Sequence, residues 1–226
     1  MTDQRVRVLL ADDDDLMRAG LRAVLSSDAA IEVVGDAPDG RTAVVKAIAL
    51  RPDVVLMDVR MPGLDGIAAT RQALAASRDL KIIILTTFEQ DDYVFSAIAA
   101  GASGFLLKRT TPEQLLAAIH AVAAGDGLLS PSVTRTVIKR LARAPVAATG
   151  RDSRVDELTT REREVLELVA DGLSNREIAA ALVVEESTVK SHIKRLLRKI
   201  DARDRVHAVI FAYQNGLAGS RDRRSD

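Results

Sequence analysis

The chain has 226 residues, of which 47% are hydrophobic and 28% charged, and it contains neither cysteine nor tryptophan. The absence of cysteine excludes a disulfide framework, a thiolate metal site and a cysteine nucleophile. No apolar run approaches the roughly 18 residues that a membrane helix needs, and the first residues do not form a basic and then apolar leader. We therefore expect a cytoplasmic protein without a membrane partner.

The net charge of zero hides an asymmetry between the two halves of the chain. Residues 1–125 carry 13 Lys and Arg against 17 Asp and Glu, whereas residues 126–226 carry 19 against 15. An acidic half joined to a basic half indicates two domains, and the basic one is suited to binding a polyanion.

Strand-like and helix-like segments alternate through the first half. Short runs rich in Val, Ile and Leu predict strands at 5–11, 31–37, 53–59, 80–86 and 103–108, and helices are predicted at 14–27, 39–51, 65–77, 90–100 and 111–124. Two of the runs, VVLMDV and IIILTT, are continuously apolar, which is typical of strands buried on both faces of a parallel sheet. The pattern predicts an α/β fold with a doubly wound, five-stranded parallel sheet over residues 1–124. Functional groups in such sheets gather at the carboxyl ends of the strands.

Polar side chains stand where four of these strands end: Asp12 and Asp13, Asp58, Thr86, and Lys108. Three carboxylates in one pocket would repel each other and raise at least one pKa, and a hard divalent cation such as Mg²⁺ would relieve that repulsion. With a lysine and a hydroxyl beside the metal, the central carboxylate of Asp58 is suited to act as a nucleophile that forms an acyl phosphate.

An ordinary structural explanation exists for any single Asp at a strand end. Such residues are frequently turn residues or helix N-caps, and Asp14 or Asp15 suits that role before the first helix. That explanation does not account for five such groups on four strand ends.

The segments LLADDDDLMR, VVLMDVRMPGLDGI, LTTFEQ and GASGFLLK resemble the receiver domain of bacterial two-component response regulators, over residues 4–124. The resemblance implies a flavodoxin-like fold in which a histidine kinase transfers a phosphoryl group to Asp58. It also implies that Asp12, Asp13 and Asp58 hold Mg²⁺, with the backbone carbonyl of Arg60 as a further ligand.

The same resemblance implies roles for three residues on the fourth and fifth strands. Lys108 would contact the phosphoryl group, and Thr86 and Phe105 would form the switch pair that reports phosphorylation. One position departs from the family, because Arg109 follows the lysine where many receivers have proline. This difference leaves the geometry of the peptide bond after Lys108 undetermined, but it changes no reactive side chain.

Residues 125–156 change character and are predicted to be a linker between the domains. An amphipathic helix is predicted over 131–143. The stretch that follows, APVAATGRDSR, has small and polar residues without a period and predicts a flexible connection.

Four helices are predicted in the second half, within a small all-α helix-turn-helix domain over 157–217 that is followed by a disordered tail over 218–226. Two capping boxes, Thr159 with Glu162 and Ser174 with Glu177, mark the starts of the first two helices. A tight turn at 183–185 precedes a third helix that runs to about residue 200, and a fourth helix ends before Gly216.

The third helix has an apolar face and a basic face. The apolar face contains Val189, Ile193, Leu196, Leu197 and Ile200, and no acidic residue occurs from 187 to 199. A solvated lysine-rich face is the simplest explanation of such a helix. A capped helix and a short turn immediately before it instead favour a recognition helix in a DNA major groove. The residues expected to bind DNA are Ser187, Thr188, Lys190, Ser191, Lys194, Arg195, Arg198 and Lys199.

Residues 158–213 resemble the LuxR-type helix-turn-helix domain through all four helices, and with the receiver they resemble the NarL/FixJ class of response regulators. The resemblance implies that Lys190, Ser191 and Lys194 face the groove of double-stranded DNA. It also implies a homodimer on phosphorylation, with a contact from the fourth helix. An apolar stripe of Val206, Val209, Ile210 and Tyr213 suits this contact, although Val206 and Val209 suit the domain's own core equally well. RNA polymerase is a further candidate partner.

Three other functions are weighed against a phosphorylated transcription regulator. A phosphatase with an aspartyl nucleophile would have a second acid two residues later, where this chain has Arg60. The acidic pocket with Lys108 argues against a ligand-sensing cavity. The presence of Asp58, Thr86 and Lys108 argues against a regulator that works without phosphorylation. We expect no enzyme activity beyond Mg²⁺-dependent phosphorylation and dephosphorylation of the chain itself.

Overall fold

The computed structural model describes residues 5–87, 91–125, 128–129 and 152–218. The chain divides into two compact units, with the boundary between Ser130 and Pro131. The linker helix predicted over 131–143 and the tail from residue 219 lie outside the described residues. None of the helices in the described part of the chain has the length and hydrophobicity of a membrane span.

The first unit is a parallel sheet with five helices in its described residues. The strands are β1 (Val6–Ala11), β2 (Ile31–Ala37), β3 (Val54–Asp58), β4 (Lys81–Thr86), β5 (Gly104–Leu107) and β6 (Leu128–Leu129). The helices are α1 (Asp15–Leu25), α2 (Gly40–Leu50), α3 (Gly66–Ala76), α4 (Asp91–Ala99) and α5 (Pro112–Ala123). The strand order is β2-β1-β3-β4-β5-β6. The five predicted strands and the doubly wound parallel sheet are confirmed.

The sixth strand was not predicted from the sequence. β6 pairs in parallel with β5, with Gly104 opposite Leu128 and Phe105 opposite Leu129. It has only two residues, which is too short to show a periodic pattern. The sheet therefore extends into the segment that the sequence assigns to the linker from residue 125.

Continuous apolar runs occupy the centre of the sheet, as predicted. Every residue of β3 is buried, and so are the last five residues of β4. Side-chain caps start the surrounding helices. Asp14 caps α1 by accepting hydrogen bonds from the backbone N–H groups of Leu16 and Met17. The N-cap role at the first helix thus belongs to Asp14, which leaves Asp12 and Asp13 for other contacts.

In its described residues, 152–218, the second unit contains one 3-10 turn (Ser153–Val155) and four helices, α6 (Thr160–Ala170), α7 (Asn175–Leu182), α8 (Glu186–Lys199) and α9 (Arg205–Gln214). Both predicted capping boxes are present. The unit begins earlier than the predicted boundary at 157, because Val155 is fully buried in the same core as Ile200 and Phe211.

The turn between α7 and α8 contains a backbone outlier. Val183 closes α7 with φ at +54°, and its side chain is 89% exposed. A β-branched residue rarely adopts this left-handed conformation, since its side chain is crowded there. The strained residue lies three positions before the first residue of the helix that the sequence singles out for DNA recognition.

Candidate phosphoacceptor and DNA-binding sites

Three carboxylates converge at the carboxyl ends of β1 and β3. These strands are adjacent and parallel, with Ala11 opposite Met57, so the residues that follow them meet at one edge. Oxygen atoms of Asp12, Asp13 and Asp58 all lie within 4.8 Å of one another. Asp12 and Asp58 are almost completely buried, whereas Asp13 is exposed. The cluster has the composition of a site for a hard cation.

Lys108 joins this cluster from the end of β5. Its ammonium nitrogen lies 2.7 Å from a carboxylate oxygen of Asp12 and 2.8 Å from one of Asp58. Burial raises the pKa of Asp58, although Lys108 acts in the opposite direction. Burial also disfavours the charged form of Lys108, but its hydrogen bonds to the two carboxylates outweigh this and raise its pKa. One ammonium group thus faces three carboxylates, which leaves an excess of negative charge.

Thr86 and Phe105 lie on the neighbouring strands β4 and β5, and both are buried. The backbone N–H of Lys108 donates to the carbonyl oxygen of Thr86 over 2.8 Å, which holds the ends of the two strands together. Phe105 lies opposite Ile84 in the ladder, and its side chain is fully buried. Any rearrangement of this ring thus begins inside the protein and not at its surface.

The loop after Asp58 packs closely against the phosphoacceptor candidate. The backbone N–H of Arg60 hydrogen-bonds the Asp58 carboxylate, and the N–H of Gly66 donates to Val59 over 2.9 Å. A Cβ atom at Gly66 would lie 1.8 Å from the carbonyl oxygen of Asp58, so only glycine fits there. A cavity of about 630 Å³ borders this loop, and Asp13 and Arg60 belong to its lining.

The recognition-helix candidate α8 has the two faces that the sequence predicts. Val189, Ile193 and Leu196 are buried, and Leu197 is partly buried. The exposed residues are Ser187, Lys190, Ser191, Lys194, Arg195 and Arg198, and Thr188 is partly buried. Six of the eight residues expected to bind DNA thus lie on the surface of one helix.

Lys199 has a setting that differs from the other predicted DNA-binding residues. Its ammonium donates to the Glu162 carboxylate over 2.7 Å and to the carbonyl oxygen of Glu157 over 3.0 Å. Glu162 belongs to the capping box of α6, so Lys199 joins α8 to the start of α6. The helical pattern gave no signal for this contact, because the partners are 37 residues apart.

The predicted dimer stripe on α9 is smaller than the sequence suggests. Val206 and Val209 are 2% and 5% exposed, and they face the interior of their own domain. Ile210 and Tyr213 remain partly exposed. Burial raises the pKa of Tyr213, whose ring packs against the core of this unit. Two of the four stripe residues thus remain for a contact with a second chain.

Comparison with protein families finds a match in each half of the chain. Residues 8–120 match the response regulator receiver domain. Residues 156–212 match the bacterial regulatory proteins of the luxR family. The two matches correspond to the sheet-containing unit and the helical unit.

Relatives with the same organisation match nearly the whole chain. The transcriptional regulatory protein LiaR of Bacillus subtilis (strain 168) is 42% identical over 212 residues, which cover 94% of this chain and 99% of LiaR. The response regulator protein VraR of Staphylococcus aureus (strain Mu3 / ATCC 700698) is 36% identical, with 94% of this chain and 98% of VraR covered.

Solved structures of response regulators also match nearly the whole chain. The response regulator ChrA of a heme-sensing two-component system is 37% identical with a TM-score of 0.52, and the match covers 94% of this chain and 98% of ChrA. A complex of the two-component response regulator RcsB with DNA is 25% identical with a TM-score of 0.56, covering 93% and 99%. The chain therefore belongs to the two-component response regulators that control transcription through a receiver domain and a LuxR-type DNA-binding domain.

Proposed function

We propose that Asp58 accepts a phosphoryl group from a sensor histidine kinase and thereby controls DNA binding by the second domain. The observation that carries this proposal is the contact between Lys108 and Asp58, within a cluster of three carboxylates. An oxygen of the Asp58 carboxylate attacks phosphorus and forms the oxygen–phosphorus bond of an acyl phosphate. The phosphorus–nitrogen bond of the donor breaks, its electron pair stays on the imidazole nitrogen, and that nitrogen takes up a proton from water. The Lys108 ammonium then has a new anionic partner.

The donor set fits Mg²⁺. Asp12, Asp13 and Asp58 supply carboxylate oxygens, and the carbonyl of Arg60 is the further ligand that we propose. When bound, Mg²⁺ supplies positive charge that offsets both the carboxylates and the incoming phosphoryl oxygens. The chain's own residues keep Asp58 buried and oriented through Lys108 and the N–H of Arg60. The only reactions that the chain catalyses are phosphoryl transfer to Asp58 and hydrolysis of the resulting acyl phosphate.

Thr86 and Phe105 couple the phosphoryl group to the surface around α4 and β5. A new dianion favours any donor that moves toward it, so the Thr86 hydroxyl turns to the phosphoryl group. This movement frees space beside the buried Phe105 ring, which then shifts within the interior.

The exposed face of α8 binds double-stranded DNA. Ser187, Thr188, Lys190 and Ser191 lie in the first half of the helix, which reaches base edges in helix-turn-helix proteins, and Lys194 follows Lys190 by one turn. Arg195 and Arg198 contact phosphates. The ion pair of Lys199 assigns that residue first to the domain's own structure, with any phosphate contact secondary.

Two chains bind an inverted repeat, because one small module buries only roughly 600–1,000 Å² on DNA. Ile210 and Tyr213 contribute to the dimer contact, and RNA polymerase is the partner through which the bound dimer acts. Phosphoryl transfer from the kinase and binding to the chromosome both take place in the cytoplasm.

The test measures both phosphorylation and DNA affinity in the full-length chain. Acetyl phosphate with Mg²⁺ should add the mass of one phosphoryl group to the wild type and raise its affinity for a duplex that it enriches from a random-sequence pool. Asp58→Asn should show neither effect. The control Asp53→Asn, whose carboxylate accepts the backbone N–H of Arg7, should behave as the wild type. Phosphoryl uptake by Asp58→Asn would contradict the proposal.

A further inference from the structure

The segment 152–157, which we call the clasp, precedes α6 and contacts the far end of the recognition helix. Lys199 of α8 donates to the carbonyl of Glu157. Arg154 donates to the carbonyl of Ile200, the residue that closes α8, over 2.6 Å. From the sequence, residues 152–156 of the clasp are assigned to the linker, and nothing in their pattern indicates these contacts.

Arg154 is held by three groups at once. Its guanidinium forms a two-pronged pair with Asp152, with nitrogen–oxygen distances of 3.0 and 2.7 Å. The guanidinium carbon lies 5.3 Å from the centre of the Phe211 ring of α9. The third group is the carbonyl of Ile200. A planar guanidinium can satisfy all three partners together, whereas a lysine ammonium lacks the fork and the flat surface.

The other half of the clasp is tied to the end of α9. The backbone N–H of Asp152 donates to the side-chain oxygen of Asn215 over 2.9 Å, and the Asn215 amide donates to the carbonyl of Phe211 over 2.9 Å. The pKa of Asp152 is lowered to about 2, mainly by its hydrogen bonds from Arg154. The pair is thus charged at neutral pH, and it links the end of α8 to the end of α9.

These contacts differ in kind from those on the buried face of α8. Apolar burial at Val189, Ile193 and Leu196 is favourable but not directional, so it tolerates small shifts along the helix axis. A hydrogen bond to the last carbonyl weakens steeply when distance or angle changes. The carbonyls at a helix end also lack partners within the helix and favour a cation. The hydrogen bond from the guanidinium therefore restrains the end of α8 along its axis, beside the ion pair of Lys199 with Glu162.

We propose that Arg154 is a positioning residue for sequence recognition: it anchors the C-terminal end of α8 so that Lys190, Ser191 and Lys194 keep their register on base edges. The proposal rests on the proposed function of α8 as the recognition helix. Base contacts depend on hydrogen-bond geometry, whereas contacts between exposed cations and phosphates tolerate displacement. Loss of the anchor should consequently reduce selectivity more than it reduces general affinity for DNA.

The experiment uses the full-length chain after treatment with acetyl phosphate and Mg²⁺. Two probes are compared, the duplex that the wild type enriches from a random-sequence pool and a poly(dI-dC) duplex. Arg154→Lys keeps the charge and removes the fork. We expect its affinity for the enriched duplex to fall about tenfold, as for the loss of one base contact, with unchanged affinity and salt dependence on poly(dI-dC). Arg154→Gln should do the same.

Arg163→Lys is the matched control. Arg163 of α6 donates to the carbonyl of Val155 in the clasp over 3.2 Å, and its substitution leaves the hydrogen bond from Arg154 to Ile200 in place. This variant should keep wild-type selectivity. The positioning role would be overturned if the affinity of Arg154→Lys fell equally on both duplexes and the fraction of folded protein fell by a similar factor. Wild-type selectivity in that variant would overturn it too. A wild-type chain that enriches no sequence would overturn the proposed function of α8, and this role with it.

Discussion

The ammonium of Lys199 lies 2.7 Å from the carboxylate of Glu162, and this contact joins the last turn of α8 to the first turn of α6. The Glu162 side chain is 5% exposed and that of Lys199 is 32% exposed. Glu162 also accepts the backbone N–H of Thr159 in the capping box. One buried carboxylate therefore stabilises a helix start and a contact between helices.

This arrangement predicts a pH dependence of the stability of the second domain. Burial acts to raise the pKa of Glu162, but hydrogen bonds from Lys199 and Thr159 outweigh it and lower the pKa below its usual 4.5. A lowered folded-state pKa adds stability above the unfolded-state pKa, and this stability is lost as the pH falls through the folded-state pKa. Glu162→Gln should lower the free energy of unfolding at neutral pH by about 1–3 kcal/mol and flatten the acid limb.

Urea unfolding at neutral and acidic pH measures this effect in the full-length chain. The control is Glu164→Gln, because Glu164 pairs with Arg161 on the exposed side of α6 at 2.9 Å. Exposed pairs contribute about 0–1 kcal/mol, so this variant should follow the wild-type profile. Parallel pH profiles for the wild type and Glu162→Gln would show that the buried carboxylate does not control acid stability.

Phosphoryl uptake should require a divalent cation. Lys108 brings one positive charge to a cluster of three carboxylates, and an incoming phosphoryl group adds further negative charge there. Excess EDTA should abolish labelling by acetyl phosphate, and added Mg²⁺ should restore it. Asp13→Asn should raise the Mg²⁺ concentration for half-maximal labelling by about tenfold, because one charged ligand is lost. Asp15→Asn, which changes an exposed acid in α1, is the control. Full labelling in EDTA would rule out the metal.

Thr86→Ala should separate phosphorylation from its consequence. The variant keeps Asp58 and Lys108, so the mass of one phosphoryl group should still be added. Its DNA affinity should respond poorly, because the hydroxyl that moves to the phosphoryl group is missing. The control is Ser103→Ala, another buried hydroxyl, for which the described residues offer no hydrogen-bond partner. A normal gain in DNA affinity on phosphorylation of Thr86→Ala would disprove the coupling.

Base and phosphate contacts on α8 should respond differently to substitution. Lys194→Ala should cost about 1–3 kcal/mol on the enriched duplex and relax selectivity at one base pair. Arg198→Ala should instead weaken binding to all duplexes alike and lower the slope of affinity against salt by about one. Titrations of the phosphorylated full-length chain at several salt concentrations distinguish the two cases. Equal affinities for Lys194→Ala and the wild type would remove Lys194 from the interface.

The sequence predicted those features that depend on neighbouring residues. Buried strands, helix starts and the two faces of α8 follow from local periodicity and from capping pairs three residues apart, such as Ser174 and Glu177. The doubly wound parallel sheet could be predicted because strand-like and helix-like segments alternate along the first half of the chain. The convergence of Asp12, Asp58 and Lys108 could be predicted because the carboxyl ends of parallel strands meet at one edge of the sheet.

Features that depend on long-range contacts were missed or misplaced. β6 has two residues and is stabilised by its pairing with β5, which no local pattern reveals. Arg154 reaches Ile200 across 46 positions, and Lys199 reaches Glu162 across 37. A basic residue on a helix has the same local pattern whether it meets DNA or a buried carboxylate. Only the tertiary structure distinguishes the two.

The close approach of Gly66 to the carbonyl of Asp58 restricts which residues can replace this glycine. A Cβ atom at position 66 would lie 1.8 Å from that oxygen, so any larger residue must displace backbone and not a flexible side chain. The backbone that moves is the one that carries the carboxylate between Lys108 and the cation ligands. A substitution at position 66 would therefore impair phosphorylation of Asp58, although Gly66 itself has no reactive group.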